Sequence, residues 1–124
     1  MKIIGTGIDI LEISRLKEKI DKNSGLIDKL FTQEEIDYCR SKKNWIHSMA
    51  GRFAAKEAIY KVMSSHMDSL NWKDIEILSG SSIPVISDSC KVARVMKEKG
   101  LKCSVSIAHE DKFAVAHSIF WKEG

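Results

Sequence analysis

The chain has 124 residues, of which 44% are hydrophobic and 30% are charged, a balance typical of a globular domain rather than a disordered tail. Its formal net charge of +3 is too slight to indicate a nucleic-acid-binding protein, although it is compatible with anionic small molecules or an acidic protein partner. No apolar run approaches the ~20 residues that span a bilayer, and the amino terminus carries an early aspartate, so we expect neither secretion nor membrane insertion.

The three cysteines are odd in number, widely spaced and without a CxxC pair: Cys39, Cys90 and Cys103. We therefore expect neither a disulfide framework nor a zinc site, and a reduced, cytoplasmic setting is the default. A domain of this size builds one modest core, in which a deep private pocket is hard to form. A site shared between subunits is therefore compatible with the size alone.

The first segment, residues 2–10, alternates in a way that predicts a half-buried strand with Gly5, Gly7 and Asp9 on one face. The two glycines leave room for a close neighbour, and a backbone passing by explains them at least as well as a ligand does. Residues 11–21 then predict a helix, followed by a turn that ends near Gly25.

Two helix starts follow in the chain. Thr32 and Glu35 have the spacing of a capping box, which predicts a helix over 33–41. Asn44 is a reasonable N-cap for the longest helical run, residues 45–64.

The second half of the chain predicts shorter elements. These are strands at 74–78 and 84–86 around a turn at 79–82, a helix over 89–99 that ends at Gly100, and a closing hairpin of strands 102–109 and 113–121. With no repeat and no linker, residues 1–124 are predicted to form a single α+β domain with an antiparallel sheet and one long central helix.

Glu57 is the most informative residue of the long helix. At 100° per residue it falls near the centre of an apolar stripe formed by Ile46, Met49, Ala50, Phe53 and Tyr60. A carboxylate among apolar neighbours must be protonated, paired with a cation or bound to a metal. An ion pair with Lys61, one turn on, is an equally good explanation from helix geometry alone.

A basic group lies on a neighbouring face of the same helix. Arg52 and Lys56 are one turn apart, and with Lys61 they could hold an anionic ligand such as a polyphosphate, although such a pair is usually only a solvated face. Asp9 supplies a second hard oxygen ligand, and two carboxylates with phosphate oxygens and water are the usual environment of Mg²⁺. Spacing alone does not bring Asp9 and Glu57 together.

The histidines give weaker signals. His109 ends a predicted strand at the rim of the core, within reach of a ligand, although a lone histidine there is more often structural than catalytic. The other three, His47, His66 and His117, have no spacing that suggests a metal site, and we assign them no chemistry.

Four motifs occur in an order that resembles one known family. They are Gly7-Ile8-Asp9-Ile10, Phe31-Thr32-Gln33-Glu34-Glu35, Gly51-Arg52-Phe53-Ala54-Ala55-Lys56-Glu57-Ala58 and Ser106-Ile107-Ala108-His109. Together with the chain length they resemble the holo-acyl-carrier-protein synthases of the phosphopantetheinyl transferase superfamily. The block around Glu57, preceded by the block around Asp9, is the specific part, and the block around His109 is weaker.

The resemblance implies a fold and a reaction. The implied subunit is an antiparallel sheet wrapped around a long central helix, and it forms a homotrimer with active sites at subunit interfaces. The implied activity moves 4'-phosphopantetheine from coenzyme A to a serine of an apo-acyl carrier protein, in fatty acid biosynthesis and in the cytoplasm. Nucleic acid and membrane are not among the implied partners.

The resemblance also implies roles for particular residues. Asp9 and Glu57 would hold Mg²⁺ together with the pyrophosphate of coenzyme A. In the mechanism that we infer from these roles, either Glu57 or a metal-bound water could accept the serine proton, and the sequence does not decide between them. Lys61 would stabilise the leaving phosphate. The other implied contacts are Arg52, Lys56 and Lys61 to the phosphates of coenzyme A, Pro84 beside the adenine, His109 beside the nucleotide, and Arg15 facing the acidic carrier protein.

Two positions depart from the family pattern. Ser82-Ile83-Pro84 stands where a Gly-Lys-Pro turn is common, and Ala108 and Glu110 flank His109 where Ser or Thr is common. The contacts on the adenine side are therefore the least specified. Non-catalytic binding of a nucleotide or carrier protein, and weak nucleic-acid binding, are the competing hypotheses. The Asp9 and Glu57 pair argues against the first, and the near balance of charge argues against the second.

Overall fold

The computed structural model describes residues 1–79 and 83–124 as an α+β arrangement, so the turn predicted at 79–82 falls mostly outside the described residues. The strands are β1 (Lys2–Glu12), β2 (Ile77–Ser79), β3 (Pro84–Ile86), β4 (Lys102–His109) and β5 (Phe113–Lys122). The helices are α1 (Ile13–Lys22), α2 (Leu26–Leu30), α3 (Gln33–Arg40), α4 (Trp45–Met63) and α5 (Lys91–Lys99), with a short 3₁₀ helix at Trp72–Asp74.

The sheet that carries the site has three antiparallel strands in the order β1-β5-β4, and β2 and β3 form a separate two-stranded sheet. The predicted closing hairpin is confirmed, and its turn is closed by Glu110, whose Oε1 accepts hydrogen bonds from the backbone amides of Lys112 and Phe113 at 3.1 Å. In the long pairing of β1 with β5, Gly7 lies opposite Ser118 and Asp9 lies opposite Ala116.

Helix α4 lies directly on β1 at Gly7. A Cβ atom at Gly7 would lie 1.9 Å from the carbonyl oxygen of Ala58, so no side chain fits there. The same carbonyl accepts a hydrogen bond of 2.9 Å from the buried hydroxyl of Ser118. The glycine thus makes room for a passing backbone, which was the packing explanation left open by the sequence.

The other side of α4 packs against α1, α2 and α3, so the helix separates two hydrophobic clusters. The predicted stripe is therefore one of two apolar faces of α4, with Met49 and Ala50 buried in one cluster and Ile46 and Phe53 packed against it. Glu57, Phe53 and Tyr60 are half-buried, whereas the fully buried residues include Ala54, Ala55, Ala58 and Ile59. The small alanines allow close packing on the sheet, and this leaves Glu57 at the margin of the core.

Local signals placed several helix ends correctly. The capping box is confirmed, since Glu35 accepts from the Thr32 amide at 2.9 Å and Thr32 accepts from the Glu35 amide at 3.3 Å. Gly100 has φ +68°, a left-handed conformation that ends α5. Helix α5 begins two residues later than predicted, and the Asn44 side chain makes no capping hydrogen bond to α4.

Two short helical segments were not predicted. One is α2, and the other is the 3₁₀ helix Trp72–Asp74, where the sequence predicted the start of a strand. Asp74 accepts a hydrogen bond from the Asn71 amide at 2.8 Å, which closes this turn and delays the strand to Ile77. Within the described ranges, no helix is both long and apolar enough to span a membrane.

Candidate functional site

Asp9, Glu57 and Lys61 meet where α4 crosses β1. The close approach at Gly7 brings one face of α4 over the strand, and Glu57 and Lys61 are one turn apart on that face. The Lys61 ammonium group donates to the Ile8 carbonyl at 2.6 Å and lies 3.3 Å from Asp9 Oδ1. Asp9 Oδ2 is buried and has no hydrogen-bond partner among the residues that the structure describes. Lys61 therefore engages one oxygen of this carboxylate and leaves the other free.

Glu57 is held close to a second negative charge. Burial, followed by the neighbouring Asp9 carboxylate, raises the pKa of Glu57 to about 7, while Lys61 and Lys19 oppose the shift. The alternative that the sequence left open, a Glu57–Lys61 ion pair, is not what forms, because Lys61 pairs with Asp9. The Lys61 ammonium group thus pairs with only one of the two neighbouring carboxylates, and a further positive charge would stabilise the ionised pair.

The donor set fits a hard divalent cation. Asp9 and Glu57 present carboxylate oxygens, one of them buried without a partner, which suits Mg²⁺ better than a softer metal. In the described part of the chain, no group of three or more His, Cys, Asp or Glu side chains forms a closed metal site. A cation here would take its remaining ligands from water and from an anionic substrate, as Mg²⁺ at phosphate sites does.

A cavity of about 430 Å³ opens beside Glu57. Arg15 and Lys19 of α1 form its basic rim, and its apolar lining includes Leu16, Leu30 and Phe53. The structure thus places the predicted carrier-protein contact, Arg15, in the same cavity as the predicted metal ligand. We call this the carrier-side cavity.

A second cavity, of about 320 Å³, contains three more of the predicted residues, Arg52, Pro84 and His109. The Arg52 guanidinium group is 4.1 Å from the centre of the Tyr38 ring and donates to the Ser79 hydroxyl at 2.5 Å. Its Nε is buried and has no hydrogen-bond partner within residues 1–79 and 83–124, which leaves donor capacity for an anionic ligand. We call this the nucleotide-side cavity.

His47 also lines the nucleotide-side cavity, although the sequence analysis gave it no chemistry. Its ring meets that of His109 edge to face, with centroids 5.8 Å apart. Its Nδ1 is buried, and no described residue forms a hydrogen bond with it. The available signal was its position four residues before Gly51, on the face of α4 that leads to Arg52. Tyr38 and Ser79, which hold Arg52, belong to no motif and were missed for that reason.

Lys56 does not join this cavity. Its side chain is fully buried, forms an ion pair with Glu35 and donates to the carbonyls of Leu30 and Trp72 at 2.9 and 3.1 Å. Burial lowers the pKa of Lys56, and the charge of Glu35 opposes that shift. The structure therefore corrects the predicted placement of Lys56 beside Arg52 on a phosphate-binding face, because protein groups already hold its ammonium group.

The adenine-side positions are described only in part. Pro84 starts β3 and is half-buried, and Ile83 before it is exposed. Ser82, where the sequence departs from the family pattern, lies outside the described residues. His109 is exposed at the end of β4, at the rim that the sequence predicted.

These elements define a class of protein. The family model for the 4'-phosphopantetheinyl transferase superfamily matches residues 5–118, which is nearly the whole chain. The chain therefore belongs to this superfamily of transferase enzymes, and the family resemblance drawn from the sequence motifs is confirmed.

Individual enzymes of this superfamily are similar to the chain over most of its length. The chain is similar to the holo-[acyl-carrier-protein] synthase of Halothermothrix orenii, with 39% identity over 117 residues that cover 92% of this chain and 94% of the relative. It is similar to the enzyme of the same name from Clostridium perfringens, with 37% identity over 123 residues, covering 94% and 92% of the two chains.

Solved structures of holo-acyl-carrier-protein synthases have the same fold as this chain. A Bacillus anthracis holo-(acyl-carrier-protein) synthase in complex with CoA (3',5'-ADP) superposes with a TM-score of 0.80 at 28% identity, covering 99% of this chain and 100% of that one. The Helicobacter pylori holo-[acyl-carrier-protein] synthase in complex with coenzyme A gives a TM-score of 0.78 at 28% identity, covering 94% and 100%. The Neisseria meningitidis enzyme, at 23% identity and a TM-score of 0.86, has the same fold over 97% and 99% of the chains.

Proposed function

We propose that this chain, as a single domain over residues 1–124, transfers 4'-phosphopantetheine from coenzyme A to a serine of an apo-acyl carrier protein. The reaction depends on Mg²⁺ and yields the holo-carrier protein and adenosine 3',5'-bisphosphate. The observation that carries the proposal is the convergence of Asp9 and Glu57, with one carboxylate oxygen unpartnered, in a chain similar to holo-[acyl-carrier-protein] synthases. The proposed setting, fatty acid biosynthesis in the cytoplasm, rests on that similarity.

The metal side of the site is assigned to two carboxylates. Asp9 Oδ2 and the Glu57 carboxylate would be the protein ligands of Mg²⁺, and the pyrophosphate of coenzyme A would supply further oxygens. When bound, Mg²⁺ would neutralise charge that develops on the pyrophosphate during transfer. Lys61, fixed by the Ile8 carbonyl and Asp9 Oδ1, keeps a positive charge beside the leaving phosphate.

The chemical step moves one phosphoryl group. The serine oxygen bonds to the β-phosphorus, and the bond from that phosphorus to the bridging oxygen breaks, so adenosine 3',5'-bisphosphate leaves with the bridging oxygen. The serine proton passes to Glu57 or to a water molecule. Phosphoryl transfer depends mainly on positioning and electrostatics, so Asp9, Glu57 and Lys61 suffice as the catalytic group.

The nucleotide-side cavity is proposed to bind the nucleotide part of coenzyme A. Arg52 carries a fixed guanidinium group with an unpartnered donor, which suits a phosphate oxygen. His109 and His47 add imidazole groups beside it, and Pro84 supplies an apolar surface for the adenine. Lys56 is not assigned a direct phosphate contact, in contrast to the interpretation from the motifs.

The carrier-side cavity is proposed to receive the acyl carrier protein. Arg15 and Lys19 place two positive charges on α1 beside it, which complement the acidic carrier expected from the family resemblance, although Glu12 and Glu57 also line the cavity. Because Glu57 lines the same cavity, a serine presented there would approach the metal ligands directly.

A trimer is proposed from the outer face of the sheet. Ile8 and Ile10 of β1 are 61% and 64% exposed and alternate along the strand with Gly7 and Asp9, and Ile10 also lines the carrier-side cavity. Exposed apolar side chains on a sheet are typical of a surface that another chain covers. In this proposal the exposed faces of the sheets of three subunits pack against one another, and the active sites form at the subunit interfaces.

One experiment tests the proposed transfer. The purified chain is incubated with coenzyme A, Mg²⁺ and an apo-acyl carrier protein, and the intact mass of the carrier is measured. Addition of one phosphopantetheine group, abolished by a chelator and restored by Mg²⁺, is the expected result. Binding of coenzyme A or carrier with no mass change would instead identify a non-catalytic binding module.

A further inference from the structure

Glu35 and Lys56 form an ion pair in the middle of the molecule, and both side chains are completely buried. Glu35 lies in the first turn of α3, and Lys56 lies on α4 immediately before Glu57. The transfer step described above uses neither residue. Burying two charges is costly in itself, and in terms of stability such a pair is often no better than apolar residues of similar volume. We therefore look for its role in the backbone groups to which the two side chains form hydrogen bonds.

Every charged group of the pair has further partners. Glu35 Oε1 accepts from the Thr32 amide at 2.9 Å, and Oε2 accepts from the Ile77 amide at 2.8 Å. Lys56 donates to the carbonyls of Leu30 and Trp72. The pair thus joins α4 to the start of α3, the end of α2, the 3₁₀ helix and the start of β2.

One branch of this network leads to the nucleotide-side cavity. Glu35 fixes the amide of Ile77, the first residue of β2, and β2 ends at Ser79. The Ser79 hydroxyl accepts the hydrogen bond from Arg52 that orients its guanidinium group. A shift of β2 would therefore move the partner that aims Arg52.

The other branch leads to the carrier-side cavity. Leu30, whose carbonyl binds Lys56, lines that cavity. Trp72, the second carbonyl partner, packs against Phe53 with ring centroids 5.1 Å apart, and Phe53 lines the same cavity. Lys56 thus connects helix α4, which carries Glu57, to the opposite wall of the cavity.

We propose that the Glu35–Lys56 ion pair is a positioning element that sets the walls of both cavities, and so determines how tightly coenzyme A and the carrier protein bind. The inference rests on the proposed function for the identity of the two ligands. The metal ligands are positioned separately, through the contact of Gly7 with Ala58 and the Ser118 hydrogen bond. Substrate affinity and Mg²⁺ affinity should consequently respond differently when the pair is removed.

The test uses Glu35→Gln, Lys56→Met and the double variant. Gln keeps the shape of Glu35 but cannot accept all of its hydrogen bonds, and Met keeps the stem of Lys56 without its donors. We expect KM for coenzyme A and for the carrier to rise about 10-fold in folded variants, as small misplacements of binding groups do. The Mg²⁺ concentration for half-maximal rate should stay within about twofold of that of the unaltered chain.

The double variant distinguishes an effect on substrate binding from a loss of protein stability. Each single variant leaves an unpaired buried charge and should be less stable, whereas the double variant removes both charges and should recover stability. Its KM values should remain raised, because the bonds to the Leu30 and Trp72 carbonyls are lost and Gln has one acceptor oxygen for the two amides of Thr32 and Ile77. The matched control is Lys17→Met with Asp21→Asn, which removes an exposed ion pair of 3.0 Å on α1. That control should leave both KM values and the Mg²⁺ concentration for half-maximal rate unchanged.

A folded double variant with unchanged KM values for both substrates would overturn the inference. The dissociation constant for coenzyme A, measured by calorimetry on the same proteins, gives a second test that needs no turnover, and we expect the same rise of about 10-fold. If the unaltered chain binds coenzyme A but transfers nothing, the proposed function fails. The calorimetric comparison then still decides the role of the pair.

Discussion

Lys61 binds one oxygen of Asp9 and leaves the other unpaired: its ammonium nitrogen is 3.3 Å from Oδ1, while Oδ2 is buried with no hydrogen-bond partner in the described part of the chain. An unpaired buried carboxylate oxygen is costly to maintain. Glu57 cannot relieve this cost in its ionised form, because its own carboxylate adds a second negative charge. A cation between the two carboxylates would pair the buried oxygen of Asp9 and offset the repulsion between the two negative charges. This is the physical argument for a metal at this point.

Neutralising either carboxylate should abolish metal-dependent transfer while leaving the fold intact. Asp9→Asn and Glu57→Gln keep the side-chain shape but remove the charge that holds a cation. We expect the rate of carrier modification to fall roughly 100-fold or more, the scale seen when one electrostatic stabiliser of a transition state is lost. The measurement is the mass of the carrier protein over time, with Glu98→Gln on the exposed face of α5 as the control. Full activity in both site variants would refute the assignment.

The stability of the metal-free protein should depend on pH through Glu57. Its pKa of about 7 in the folded protein lies above the ordinary value of 4.5, so between these values the folded state holds a proton that the unfolded state has released. The free energy of unfolding should consequently fall as pH rises from about 4.5 to about 7 and change no further through this group above that. Denaturant unfolding in a chelating buffer measures this. Glu57→Gln should reduce the slope, and an identical slope in that variant would show that other groups cause it.

Gly7→Ala should displace α4 from the sheet. The added Cβ would meet the Ala58 carbonyl oxygen at 1.9 Å, and a backbone atom in the middle of a helix cannot move aside cheaply. We expect a loss of about 3 kcal/mol in the free energy of unfolding, at the upper end of overpacking effects. Gly25→Ala is the matched control, since its nearest neighbour would be Asn23 Oδ1 at an ordinary 3.6 Å. Equal stability of the two variants would contradict the described packing.

Substitutions in the two cavities should raise KM for different substrates. Arg15→Ala removes charge from the rim of the carrier-side cavity and should raise KM for the carrier protein about 10-fold, with less dependence on salt. Arg52→Ala should instead raise KM for coenzyme A by a similar factor. Steady-state kinetics with each substrate varied in turn provides the measurement. Equal losses for both substrates in the Arg15 variant would argue against its assignment to the carrier.

The sequence predicted those elements whose signals are local. The alternation of β1, the capping box of Thr32 and Glu35, the terminal Gly100 and the closing hairpin each depend on neighbouring residues. The short α2 and the 3₁₀ helix were missed because neither has a periodic pattern long enough to recognise. Predicting the strand start at Asp74 failed because the contact of Asn71 with Asp74 outweighs the strand preference of the residues that follow.

The site was predicted unevenly for a similar reason. Glu57 was recognised as unusual from helix geometry, but its proximity to Asp9 was inferred from the motif resemblance. The two residues lie close together because α4 contacts β1 where Gly7 meets Ala58, and no local sequence signal predicts that contact. The position of Lys56 was mispredicted because helix periodicity cannot reveal the buried partner, Glu35, that another helix supplies.

The most direct test of the central claim is the intact mass of an apo-acyl carrier protein after incubation with this chain, coenzyme A and Mg²⁺. We predict that the carrier gains one phosphopantetheine group on a serine, that adenosine 3',5'-bisphosphate appears in equal amount, and that Asp9→Asn prevents both. An unchanged carrier mass in the presence of the folded, unaltered chain, coenzyme A and Mg²⁺ would contradict the claim.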